Sequence, residues 1–173
     1  MNAPFQHTAT LREVDLADPG EVRRLEALVA EHPGGTAFHR PAWLLAAARA
    51  TGNRATALVL ERRDAIAAYL PLLEVHSPLF GRVMVSSGFG VEGGILAERA
   101  ADGDALFAAA EELALRRSCP AIELRGGMLP AGVNPADPDA GEPPYAFYQE
   151  AHNQVVLNGG GTVRRLRKQP ATT

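Results

Sequence analysis

Hydrophobic positions change period along the chain, and the changes mark out elements. Thr8 to Val14 alternates loosely, as a half-buried strand does. Asp18-Pro19-Gly20-Glu21 then reads as a helix start. Asp18 can cap, Pro19 suits the first helical position, and Glu21 stands three residues after the cap. Val22, Leu25, Leu28 and Val29 follow at helical spacing until His32-Pro33-Gly34-Gly35 ends the run. A second helix begins near Pro41, carries Trp43, Leu44, Ala47 and Ala48 on one face, and stops at Gly52-Asn53. Ala55–Glu61 and Ala65–Val75 read as strands joined by the turn Arg62-Arg63-Asp64, an antiparallel hairpin. Pro71 inside the second strand predicts a bulge, an edge or an early end, because proline donates nothing to a ladder.

After a loop at Ser77–Gly81, Arg82–Ser87 reads as a strand. The glycine-rich stretch Gly88–Gly94 follows, and Ile95-Leu96-Ala97 continues the sheet. Asp102–Arg117 is the strongest helix, with Leu106, Phe107, Ala110, Leu113 and Ala114 as its apolar stripe. Ala121–Arg125 is a short strand. Beyond Gly126 the character changes: Pro130–Pro144 holds five prolines, Tyr145–Leu157 carries one weak strand, and Gly159–Gly161 leads into the basic run 164–168, which reads as a solvated tail. Strands outnumber helices and three central strands are consecutive. The order predicts a mixed α/β sheet over residues 1–128, then a Pro/Gly-rich segment and poorly ordered basic tail over 129–173.

Composition adds limits. The 173 residues suit one domain at ~100–200 residues per domain. Net charge is −3, which argues against a DNA binder that works by bulk charge. The single cysteine, Cys119, allows no disulfide within the chain, and its apolar setting reads as a buried thiol. No apolar run approaches the ~20 residues of a membrane span, and the N-terminus lacks a basic region followed by an apolar one; the expectation is a cytoplasmic protein.

The candidate chemistry is sparse. Gly88-Phe89-Gly90-Val91-Glu92-Gly93 spells GxGxxG, but extended chain follows it where a dinucleotide-binding loop needs a helix. A structural turn or a glycine-lined substrate groove is the better reading. Glu92 is either a partner or general base for a substrate amine, or a solvated loop carboxylate. His39 either lines a groove or packs at a helix entry, and Trp43 is a groove wall or a core anchor. Phe89 belongs with the same glycine stretch, and Arg125 stands at a strand end where it could hold an anionic group. Tyr69 reads as core or sheet surface rather than as a catalytic acid. The five histidines show no metal-ligand spacing.

Several segments, taken in order, resemble the N-terminal half of FemAB-like proteins, above all the subset associated with exosortase and exopolysaccharide systems. They are Thr36-Ala37-Phe38-His39-Arg40-Pro41-Ala42-Trp43-Leu44, the hairpin Ala57–Glu61 with Ala68–Leu72, Ser77–Arg82, Gly93–Leu96 and Ala121–Arg125. The resemblance covers roughly residues 8 to 128. It implies a GNAT-type acyltransferase fold, single and incomplete, and amide-forming acyl transfer in peptidoglycan or exopolysaccharide synthesis. It also implies acyl-CoA or aminoacyl-tRNA as donor and a cell-envelope precursor or small-molecule amine as acceptor. A CoA-using GNAT domain carries a Q/RxxGxG/A loop. Here Arg99-Ala100-Ala101-Asp102-Gly103-Asp104 places its glycine one position late, and its two aspartates would repel phosphate. No cofactor is therefore expected in this chain. FemAB-like proteins continue through a second such domain, so a truncated or half-sized relative is expected, completed by a second GNAT-like domain or a homodimer. The alternatives are a stand-alone acyl-CoA-dependent N-acetyltransferase and a non-catalytic remnant or binding module.

Overall fold

The computed structural model describes residues 9–77, 81–131, 145–148 and 154–158. The Pro/Gly-rich segment 132–144 and the basic tail lie outside them. Eight strands form one sheet. They are β1 (Thr10–Glu13), β2 (Arg54–Arg62), β3 (Ala65–Ser77), β4 (Gly81–Ser86), β5 (Leu96–Ala97), β6 (Ala121–Arg125), β7 (Tyr145–Tyr148) and β8 (Gln154–Asn158). The helices are α1 (Pro19–Glu31), α2 (Pro41–Thr51) and α3 (Ala100–Arg116). Strand order is β1-β2-β3-β4-β6-β8-β7, with β5 also pairing with β3. Among these neighbours only β4 and β6 run parallel.

The caps work as their chemistry predicts. The Asp18 side chain accepts from the Gly20 N–H at 2.7 Å, and Pro19 opens α1. Pro41 opens α2, and Gly52, at φ +69°, closes it in the left-handed conformation. The hairpin turn places Arg63 and Asp64 at φ +51° and +63°, which suits the right-handed twist of its strands. Helix α3 starts two residues before the expected Asp102. The stretch 145–157 holds two paired strands where the pattern gave one.

β2 and β3 are apolar along most of their length because both of their faces are covered. Leu58, Leu60, Leu70 and Leu72 face α3, with Leu106, Phe107 and Ala110 against them. Ala57, Val59 and Tyr69 point the other way, onto Leu25 and Val29 of α1. Each such large side chain contributes about 1.5–3 kcal/mol on full burial.

Pro71 lies mid-strand in a central strand, in register opposite Ala57; the irregularity of β3 is at Ala67, the extra residue opposite the Leu60–Glu61 step of β2. The position of Pro71 explains why the ladder accommodates it. On the side away from β2, β3 pairs with β5 at Ala68 and Tyr69 and with β4 from Leu72 onward. Pro71 falls between the two partners. Its carbonyl accepts from the Ser87 N–H at 3.0 Å, and the N–H it lacks faces the seam.

β4 and β6 are joined only at Met84–Ile122 and Val85–Glu123. Beyond that they part. The Arg125 N–H goes to Ser86 Oγ at 2.7 Å, and the Arg125 carbonyl accepts from Gly93 N–H at 2.8 Å. The loop 87–94 is thus seated in the opening between the two parallel strands.

Candidate functional site

Loop 87–94 is fastened from below. Trp43 Nε1–H donates to the Ser87 carbonyl at 2.9 Å and lies 3.3 Å from that of Gly88. Its ring meets Phe38 edge-on, with centroids 5.0 Å apart. The Gly90 N–H turns back to the Gly88 carbonyl, and Gly93 N–H is spent on Arg125. Two amides of the GxGxxG stretch, those of Gly90 and Gly93, thus bond within the protein, and no helix follows the stretch to hold a phosphate. Its glycines serve close packing: a Cβ on Gly93 would lie 2.1 Å from Ser87 Oγ, and one on Gly94 1.8 Å from the Gly126 carbonyl. Ser87 and Phe89 both hold left-handed backbone angles, φ +54° and +47°. Phe89 stands 59% exposed at the loop's crest.

A 3₁₀ turn at Ala37–His39, absent from the sequence pattern, positions His39. Thr36 and His39 form a reciprocal cap. Phe38 N–H donates to Thr36 Oγ1 at 3.2 Å, and Thr36 N–H donates to His39 Nδ1 at 3.1 Å. The Thr36 hydroxyl, 2.9 Å from Nδ1, donates its proton to the Glu92 carbonyl at 2.6 Å and so ties this turn to the glycine loop. From the core side, the Tyr69 hydroxyl donates to the His39 carbonyl at 2.9 Å. Tyr69 is fully buried, which pushes its phenol pKa up and keeps it neutral. It is core, one of the two structural places its sequence setting left open.

These contacts shape a cleft of about 460 Å³. Its walls include His32, Thr36, His39, Glu92, Gly126 and Met128. His39 is 1% exposed, and burial lowers its pKa to about 4, against the opposing pull of the Gly94 carbonyl and with a smaller contribution from His32. The ring is neutral at pH 7. Because Nδ1 accepts the Thr36 N–H, the ring proton is assigned to Nε2. His32 repeats the arrangement: its Nδ1 accepts the Gly34 N–H at 3.0 Å. The Nε2 atoms of both rings are buried, and neither has a hydrogen-bond partner among the described residues. An unmet buried donor costs about 1–3 kcal/mol. Glu92 is exposed, and its carboxylate has no ion pair or hydrogen bond among the described residues. No Lys or Arg lines the cleft.

Of the five residues singled out from the sequence, His39 and Glu92 meet in the cleft. The other three build the loop beside it. Trp43 holds the loop's underside and Phe89 caps it. The Arg125 guanidinium donates to Glu123 at 2.6 Å and to the Gly90 carbonyl at 3.0 Å, so it braces the loop and is not free for an anionic ligand. His32 escaped the sequence reading because it stood as a helix end. The signal was its place in His32-Pro33-Gly34-Gly35, where the turn folds the ring back onto Gly34 N–H. A second groove, of about 600 Å³ between β1 and α3, is lined by small and apolar side chains together with Arg12, Glu13, Glu112 and Arg116, and holds none of these unpartnered atoms.

The first turn of α3 corresponds to the stretch where a CoA-using domain would hold pyrophosphate, and its residues do not fit that anion. Asp102, 1% exposed, receives Arg62 at 2.5 Å. Asp104 accepts the Ala131 N–H at 2.5 Å. Met128 closes over Gly103, where a Cβ would lie 2.7 Å from its sulfur. The helix end faces its own carboxylates and the segment 128–131, with exposed Arg99 at its N-cap.

Comparisons with solved structures set this architecture among known ones. A GNAT family acetyltransferase from Brucella melitensis, solved in complex with acetyl-CoA, matches with a TM-score of 0.58 at 12% identity, covering 92% of this chain and 93% of that one. A putative acetyltransferase of the GNAT family from Desulfovibrio desulfuricans matches at 0.53 and 12% identity, over 88% of this chain and all of that one. The fold is the GNAT acetyltransferase fold. FemX has the same TM-score as the latter, 0.53, at 18% identity over 66% of this chain. The match spans only 27% of FemX. A family model for a domain of unknown function (DUF7196) matches residues 125–173. No curated protein matches the sequence. In the described residues, no helix is long and apolar enough to cross a membrane.

Proposed function

We propose that this GNAT-fold chain is the acceptor-side domain of a FemAB-like acyl or aminoacyl transferase of cell-envelope peptidoglycan or exopolysaccharide synthesis. It works in the cytoplasm with a second GNAT-like domain, or a second copy of itself, that carries the acyl donor. The observation that carries this reading is the first turn of α3, where Asp102 and Asp104 occupy the place a donor's pyrophosphate would need. The cleft between that turn and the glycine loop suits an amine instead: its one formally charged wall group is Glu92.

In the reaction, the substrate ammonium binds beside Glu92 and gives up a proton to bulk water to reach its nucleophilic form. The amine nitrogen then attacks the activated carbonyl of the donor. A C–N bond forms, the bond to the leaving group breaks, and the nitrogen's surplus proton passes to the Glu92 carboxylate. The rest of the domain positions the amine; loop 87–94, held by Trp43 and Arg125, fixes where Glu92 stands.

Calorimetric titration of the folded protein with acetyl-CoA tests the reading. The expected result is no saturable heat at millimolar ligand. Micromolar binding would replace it with a second reading, a stand-alone acyl-CoA-dependent N-acetyltransferase. That second reading is favoured by the near-complete mutual coverage with the Brucella GNAT enzyme.

A further inference from the structure

Loop 87–94 takes an uncommon path at its crest. Ser87, Gly88 and Phe89 hold φ of +54°, +40° and +47° in succession. That left-handed region suits glycine and strains a bulky side chain such as phenylalanine. The ring of Phe89 gains no packing from it, since the residue stands 59% exposed. Beneath it the Ser87 hydroxyl is buried with no partner among the described residues. Strain of this kind persists only where the surroundings enforce it, and it collects in segments that clamp or switch.

The ties of the loop mark out its moving part. Trp43 holds the Ser87 and Gly88 carbonyls, and Thr36 holds that of Glu92. Between these ties one described bond joins the crest to the body of the protein, from Arg125 Nη1–H to the Gly90 carbonyl at 3.0 Å. Gly90 also lies over the Ser87 hydroxyl, so close that a Cβ on it would stand 2.7 Å from Oγ. Two residues past the ring, Val91 already lines the cleft, beside Ile95, Leu96, Ala97 and Met128. Folding the Phe89 ring onto that apolar lining removes it from water, releases the left-handed angle and uncovers the Ser87 hydroxyl in one movement. We propose that Phe89–Val91 is a lid that closes over the cleft, with Phe89 as its leading side chain and Arg125 as its latch. Closing breaks the Arg125–Gly90 bond and leaves the guanidinium on Glu123, 2.6 Å away. The Glu92 backbone stays tied to Thr36, so its carboxylate is covered and screened from water. The lid serves whatever molecule the cleft takes and does not rest on the reaction proposed above.

Two measurements on the full chain test the lid. In ¹⁵N relaxation dispersion, the amides of Phe89, Gly90 and Val91 should exchange on the millisecond timescale. Arg125→Gln should raise the population of the second state at least threefold. Phe89→Gly, which accepts the left-handed angle and has no ring to bury, should silence the exchange in both backgrounds. The direction of movement is read by cross-linking. With Cys119→Ala as the background, Phe89→Cys and Gly34→Cys place one thiol on the crest and one in the cleft wall. Under mild oxidation they should join, at least threefold faster when Arg125→Gln is added. A crest without exchange overturns the proposal, and so does exchange that persists in Phe89→Gly. Exchange without cross-linking means the crest moves away from the cleft and refutes closure. A cross-linking rate indifferent to Arg125→Gln removes the latch.

Discussion

His39 shows how a single side chain can be fixed by its surroundings into one chemical state. Thr36 takes its Nδ1, Tyr69 takes its carbonyl, and burial removes the water that would stabilise an imidazolium. With a folded pKa near 4 against 6.5 for the free group, the unfolded chain binds more protons between those values, so stability falls as pH drops through that window. The full difference amounts to about 3 kcal/mol. Denaturant titrations should show the loss between pH 7 and 4, and His39→Gln should lose less over the same range. An equal loss in the variant would assign the acid sensitivity to other groups. The residue was legible in the sequence as a histidine just before Pro41, but its state was not. That state depends on Tyr69, thirty positions away, and on a 3₁₀ turn too short to leave a periodic pattern. Glu92 was legible for the plain reason that a carboxylate among glycines has few neighbours to pair with.

Between elements, the connections that matter are few and polar. Trp43 on α2 reaches the loop after β4 through one N–H at 2.9 Å, while its ring packs on Phe38. Trp43→Phe keeps the aromatic packing and removes that donor. It should cost about 1 kcal/mol in chemical denaturation and raise the exchange rate of loop amides such as Gly93. A variant as stable as the parent, with unchanged exchange, would mean the loop is held by its bonds to Thr36, Pro71 and Arg125 without help from Trp43. The glycine motif illustrates what spelling conveys. GxGxxG marked a place where backbones crowd, and extended chain, not a helix, follows it. The partners of the crowding, Ser87 beneath Gly93 and Gly126 against Gly94, come from tertiary contacts that no local window contains. Arg125 was misjudged for the same reason: its neighbours Glu123 and Gly90 meet it only after β6 takes its place beside the loop.

Over the whole molecule, the sequence supported the mixed sheet and the order of its first strands well, because β2 and β3 are apolar enough to announce a doubly covered centre. The joint between β4 and β6 was not legible, since it is made by two residues on each strand, far apart in the chain. That joint predicts how the fold opens. β6, β8 and β7 share longer antiparallel ladders with one another than β6 shares with β4. Native-state hydrogen exchange should find the amides of β6 and β8 opening together at lower free energy than those of β2 and β3. Uniform protection across the sheet would refute a weak joint. Pro71 bears on the same edge from the other side. A strand paired along β3 could in principle slide by two residues and keep its apolar face inward, since such a slip preserves the alternation of side chains. At Pro71 the slipped strand would offer a carbonyl to a nitrogen with no hydrogen and would lose a rung. Proline thus acts as a stop that defines how far β4 can advance, and with it where loop 87–94, Glu92 and the cleft come to rest.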